Sequence, residues 1–144
     1  MENTINYNEV PGCFVHCMQA DCKMARHCLR QLAMQAMPNK LTTVTILNPQ
    51  LTVAAEKCEY YRSDELQIYG KGFINMQKRM LPDESSTFMY RLQGKFGRNS
   101  YFERRKGARL CSPSEVNEVE EALKAIGHEE LKFDEYIKKL NWID

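Results

Sequence analysis

No apolar run in the 144 residues approaches the roughly 18–20 that a membrane-spanning helix needs. The first residues, Met1 to Asn8, hold neither a basic leader nor an apolar core, so no secretory signal is read there. Also missing are a nucleophile elbow, a phosphate loop, a His-Glu-x-x-His helix and a dinucleotide fingerprint. Internal repeats and low-complexity segments are lacking too. These absences point to a cytoplasmic protein with no membrane partner and turn the reading away from the common enzyme classes. The expected organisation is a single domain over residues 1–144. Residues 1–12 form an irregular lead-in that ends at the turn signal Pro11-Gly12.

Cysteine, by contrast, is concentrated. Four of the six cysteines and two of the three histidines fall between Cys13 and Cys28, with spacing Cys-x3-Cys-x4-Cys-x5-Cys. Thiolate and imidazole are the donors that zinc and iron–sulfur clusters take. In a reducing compartment such thiols are read as metal ligands or free thiols rather than disulfides. The spacing matches neither a paired-knuckle zinc site nor a bacterial ferredoxin. Zinc ranks ahead of an iron–sulfur cluster because it accepts irregular spacing and mixed ligands. Several four-ligand sets stay open, with His16 or His27 able to replace a thiolate. The competing reading is that the cysteines are small buried hydrophobes.

Periodicity predicts a mainly α fold of four to six helices with a short strand or hairpin. A first helix takes Ala25, Cys28, Leu29, Leu32, Ala33 and Ala36, with Asp21 as N-cap and Pro38-Asn39 as the stop. The β-branched run Leu41–Leu47 suggests a strand. Helices follow over 65–80, weakened in the middle by Gly70 and Gly72, and over 83–96 with Asp83 as cap and Gly97 as the stop. The clearest is 113–126, with Ser112 as N-cap, Pro113 at the first helical position and Glu115 closing a capping box. A last helix takes Phe133, Tyr136, Ile137 and Leu140. His128 reads as an exposed residue past a helix end.

Charge is uneven although the net is only +1. Residues 71–109 carry ten basic and three acidic groups, and residues 110–144 carry four basic and nine acidic. Arg98, Tyr101, Arg104, Arg105 and Lys106 form a basic-aromatic stretch that would suit nucleic-acid phosphates and a stacked base. The competing reading sends the aromatics into the core and pairs the arginines with the acidic C-terminal segment. It is favoured because the chain is near neutral overall.

One combination of residues spans nearly the whole chain. It comprises Phe14-x-His16-Cys17-x4-Cys22-x5-Cys28-Leu29-Arg30, Asn48-Pro49, Cys58 with Tyr61-Arg62, and Gly72-Phe73. Phe96-Gly97-Arg98-x2-Tyr101-Phe102, Ser112-Pro113-x-Glu115 and Phe133-Asp134-x-Tyr136 with Trp142 complete it. This combination resembles a family of small single-domain proteins of unknown function from anaerobic gut bacteria. The resemblance carries no activity. It implies that Cys17, Cys22, Cys28 and Cys58 belong together, while Cys13 and Cys111 are departures from the family pattern. Four thiolates suit a closed tetrahedral zinc site that clasps the N-terminal segment and the Cys58 loop to the first helix. The resulting expectation is a non-catalytic, zinc-binding domain with a binding or regulatory role and a protein or nucleic-acid partner. A thiol-dependent redox sensor or enzyme is the alternative, and a nucleic-acid-binding protein using residues 98–109 comes third.

Overall fold

The computed structural model describes residues 5–51 and 58–144. The first four residues of the lead-in, and Lys57 beside Cys58, lie outside them. The chain is mainly α, with five α-helices and one small antiparallel sheet among the described residues. It divides into two compact units. One takes residues 1–65 together with Leu140–Ile143, and the other takes Leu66–Lys139 with Asp144. No helix among the described residues is long and apolar enough to cross a membrane.

The N-terminal unit has little regular structure. A 3-10 turn at Tyr7–Glu9 is capped by the Asn6 side chain, a second covers Ala25–His27, and one α-helix follows, α1 (Leu29–Ala36). The expected N-cap at Asp21 is therefore seven residues early. The reason is tertiary. Cys28 is held extended by an antiparallel bridge to Ser63, and the Leu29 amide donates to the Arg62 carbonyl at 2.7 Å. Cys28 is thus the N-cap residue and not part of the helix body. Leu29 and Ala33, four apart on one helical face, pack with Phe14 and Trp142. The Phe14 and Trp142 rings meet edge to face at 5.0 Å. Within the expected strand 41–47, only Ile46 pairs, in a single parallel bridge with His16.

The second unit runs β1 (Gln67–Lys71), α2 (Ile74–Lys78), α3 (Pro82–Phe96), α4 (Arg98–Arg105), α5 (Pro113–Ala125) and β2 (Glu135–Lys139). Strands β1 and β2 pair antiparallel with Tyr69 opposite Ile137, and Gly70 bridges to Cys111. The expected helix 65–80 is thus a strand, a turn and a short helix. Its two glycines account for the break. A side chain on Gly70 would meet the Phe133 ring at 2.6 Å, and Gly72 has φ +75°, which ends the strand in a turn. The expected C-terminal helix is β2, because its register opposite β1 pairs backbone that a helix would have paired internally. The basic stretch after Gly97 is itself a helix, α4.

The remaining helices match their sequence signals closely. In α3 the Glu84 carboxylate accepts from the Leu81 amide at 2.8 Å, so Leu81 is the N-cap position and not Asp83. Gly97, at φ +84°, closes α3. In α5 the Ser112 hydroxyl accepts from the Glu115 amide, while the Glu115 carboxylate accepts from the Ser112 amide at 3.1 Å. Phe73, Phe88, Leu92, Tyr101, Val119 and Leu123 form the centre of this unit's core.

His128 is not a free surface group. Its Nε2 lies 2.7 Å from Glu84 at the start of α3, and its Nδ1 lies 3.1 Å from Glu130. Hydrogen bonds to Glu130 and Glu84 raise its pKa above the ordinary 6.5. The Glu84 carboxyl is held below its ordinary 4.5, first by the Leu81 amide and then by His128. Glu130 is lowered as well, by its own backbone amide and by His128. The histidine contribution to stability is complete below the ordinary value of 6.5 and is lost as pH rises through the raised pKa. The carboxylate contributions are present above 4.5 and are lost as pH falls through the lowered values. His128→Asn is therefore expected to flatten the alkaline side of a thermal-stability profile measured from pH 5 to pH 9. An unchanged profile would remove the latch.

Candidate functional site

The N-terminal unit contains a cavity of about 50 Å³, and Cys17, Cys22, Cys28 and Cys58 all line it. That is more room than one water needs. The four residues come from the loop after Phe14, the turn before Ala25, the N-cap of α1 and the turn that opens at Cys58. Met18, Met24, Leu47, Pro49, Leu51 and Tyr61 supply most of the apolar wall.

Local hydrogen bonds explain why these segments meet. The Arg30 side chain, on the first turn of α1, donates through Nε to the Tyr60 carbonyl at 2.7 Å and through Nη1 to the Val15 carbonyl at 2.8 Å. It also lies 5.2 Å from the Phe14 ring centroid. One guanidinium therefore ties the segment before Cys17 to the turn after Cys58. Its planar fork suits two fixed carbonyls. Gln31, almost fully buried, donates to the Cys17 carbonyl at 2.8 Å. The Asn48 side chain accepts from the Gln50 amide, and Gln19 reaches the Leu51 carbonyl at 3.3 Å, so the Asn48-Pro49 turn joins the wall. Asn48-Pro49 and Arg30 were legible as members of the family pattern. Gln31 was not, because a glutamine inside a helix gives no sequence signal of burial.

The expected set thus lines one cavity, with its four thiols free and partly exposed. They are not drawn onto one point. Among the described residues no group of three or more Cys, His, Asp or Glu side chains is placed to hold a metal ion. His16 is buried, and both its ring nitrogens are occupied. In the neutral ring Nδ1–H donates to the Thr45 carbonyl (3.1 Å), which leaves Nε2 to accept from the Tyr7 hydroxyl (2.8 Å). His27 is largely exposed, with Nδ1 3.3 Å from the Asp64 carboxylate. Neither histidine lines the cavity. Cys13 is exposed and outside it. Cys111 is fully buried in the second unit, and burial, with the Glu115 charge adding, pushes its thiol up to about 12. At neutral pH it is protonated and so a poor nucleophile or ligand.

In the basic stretch, Tyr101 is fully buried in the second unit's core. Arg104 is also buried. It pairs with the Glu115 carboxylate, donates to the Ser100 carbonyl at 3.2 Å and lies over the Phe96 ring at 4.6 Å. Arg105 donates to the Gln77 side chain. Arg98 and Lys106 are exposed. Tyr101 offers no surface ring for a base, and Arg104 already has its carboxylate.

Fold and site together define a small, mainly α protein with a thiol-lined cavity in its N-terminal unit. The chain belongs to a family of unknown function (DUF6078), whose profile matches residues 1–142. No curated protein and no solved structure matches the chain significantly.

Proposed function

We propose that the protein is a non-catalytic binding or regulatory domain whose Cys17, Cys22, Cys28 and Cys58 hold a structural zinc ion. The observation that carries this reading is the shared cavity: four cysteines from four separate segments line it, and Cys13 and Cys111 do not. Zinc closes such sets tetrahedrally with sulfur at about 2.3 Å. The residues between Cys17 and Cys28 are loop, turns and one 3-10 turn at Ala25–His27, so drawing the thiolates inward deforms no α-helix or strand. The zinc would complete the clasp that Arg30 and Gln31 begin.

Protein reduced, equilibrated with zinc and freed of excess metal is expected to retain one zinc per chain. Cys58→Ser and Cys22→Ser should each weaken retention severely, while Cys13→Ser and Cys111→Ser should not. Elemental analysis that finds no zinc in the wild-type protein after this treatment sinks the reading. A second reading draws on the partial exposure of the same four thiols, a thiol-reactive sensor. Metal-free protein in which one of the four reacts far faster than the others would favour it.

A further inference from the structure

Sulfur donors at the cavity are not limited to cysteine. Met18 and Met24, on either side of Cys22, line it as well, and Met18 is still 55 % exposed. Four cysteines and two methionines therefore border about 50 Å³ of space. Among the described residues the lining includes no carboxylate and no imidazole, and its one charged side chain is Arg30. Sulfur-rich surroundings of this kind favour soft ions, and copper(I), softer than zinc(II), takes thiolate and thioether donors together. Copper(I) is also content with two or three sulfur ligands. That suits thiols that line a cavity without being gathered into a quartet. Arg30 adds a fixed positive charge beside what becomes an anionic thiolate complex.

From this lining we infer that the cavity takes copper(I) in preference to zinc, and that Met18 and Met24 are part of the selection. The inference rests on the thiolate-metal reading above and narrows it to a soft-ion site. The exchange moves no electrons. Copper(I) enters, zinc(II) leaves, and the thiolates stay deprotonated throughout.

The test uses the full chain, loaded with zinc and kept anaerobic with ascorbate. Copper(I) is supplied from a competing chelator such as bicinchoninate, and a chromophoric indicator follows released zinc. Wild-type protein is expected to give up zinc as copper(I) binds. A Met18→Leu/Met24→Leu double variant conserves volume, so its fold should hold. Its copper(I) affinity is expected to fall about tenfold, the low end for groups that tune a site from outside its main ligands, and its zinc affinity, measured alongside, to fall less. If zinc stays bound while copper(I) remains on the chelator, the selectivity is wrong and the zinc reading survives. If the double variant holds copper(I) as tightly as wild type, the methionines play no part and the inference is overturned. Copper(I) binding with the methionine effect, in a protein that never retained zinc, would support the inference and overturn the zinc assignment. Binding of neither metal overturns both.

Discussion

Replacing Glu115 with alanine is expected to cost the second unit about 3–5 kcal/mol, because it leaves a buried cation without its counter-charge. The Arg104 side chain is 7 % exposed and that of Glu115 19 %, so water screens the pair little. Glu115 also closes the capping box of α5, which alone contributes about 0.5–2 kcal/mol. Two further variants separate these roles. Glu115→Gln keeps an acceptor for the Ser112 amide and removes only the charge. Arg104→Met combined with Glu115→Leu removes both charges, and exchanging a buried pair for apolar side chains is often close to neutral. The expected order of stability is therefore wild type, then the double variant, which loses only the capping-box acceptor, then Glu115→Gln, then Glu115→Ala. Urea unfolding followed by far-ultraviolet circular dichroism reads it, since four of the five α-helices described lie in this unit. The sole tryptophan, Trp142, belongs to the other unit and is the wrong probe. A Glu115→Ala protein within about 1 kcal/mol of wild type would mean that water reaches the guanidinium and that the pair is effectively a surface one.

This pair also marks where the sequence was legible. Ser112-Pro113-x-Glu115 was read correctly as a helix start because a capping box is a local device, satisfied within four residues. The favoured reading of the basic stretch, with its arginines paired to the acidic C-terminal segment, fits the Arg104–Glu115 pair, but which two residues would meet was not legible, because they sit on different helices. The same division runs through the fold. Gly97 and Gly127 stop helices where expected, each at positive φ. Residues 67–71 and 135–139 lie in stretches whose apolar residues, at intervals of three and four, predict helices. They are strands because each supplies the other's hydrogen-bond partners from about seventy residues away, as in Gln67 opposite Lys139. The cavity divides likewise. The cysteine density drew attention to this segment, and the four cysteines that the family pattern groups line one cavity. The Arg30 fork that brings Val15 and Tyr60 together is a long-range contact that no local pattern announces.

Phe73→Ala is expected to destabilise the same unit by about 3–5 kcal/mol, the usual cost of emptying an aromatic core site. Phe73 is fully buried, and its ring meets Phe88 edge-on at 5.7 Å, Tyr101 at 5.6 Å and Phe133 edge-on at 6.1 Å. Those three neighbours belong to α3, α4 and the segment leading into β2, so one ring packs against three parts of the unit. The residue also stands at the strand-to-helix junction after Gly72, where its amide donates to the Arg105 carbonyl at 2.9 Å. The surrounding rings come from separate elements and cannot collapse together into the space, which places the loss at the upper part of the range. Phe73→Leu refills most of the volume and should cost less, about 1.5–3 kcal/mol with the lost ring contacts included. The comparison matters because a helix through residues 65–80 would have placed Phe73 on an ordinary amphipathic stripe, shared with Tyr69 and Met76. On such a stripe, alanine and leucine would differ only by their transfer from water. A Phe73→Ala loss of about 3 kcal/mol or more in urea unfolding identifies a packed aromatic centre. Equal, small losses would mean that the β1–Gly72–α2 junction does not seat this ring where the three others converge.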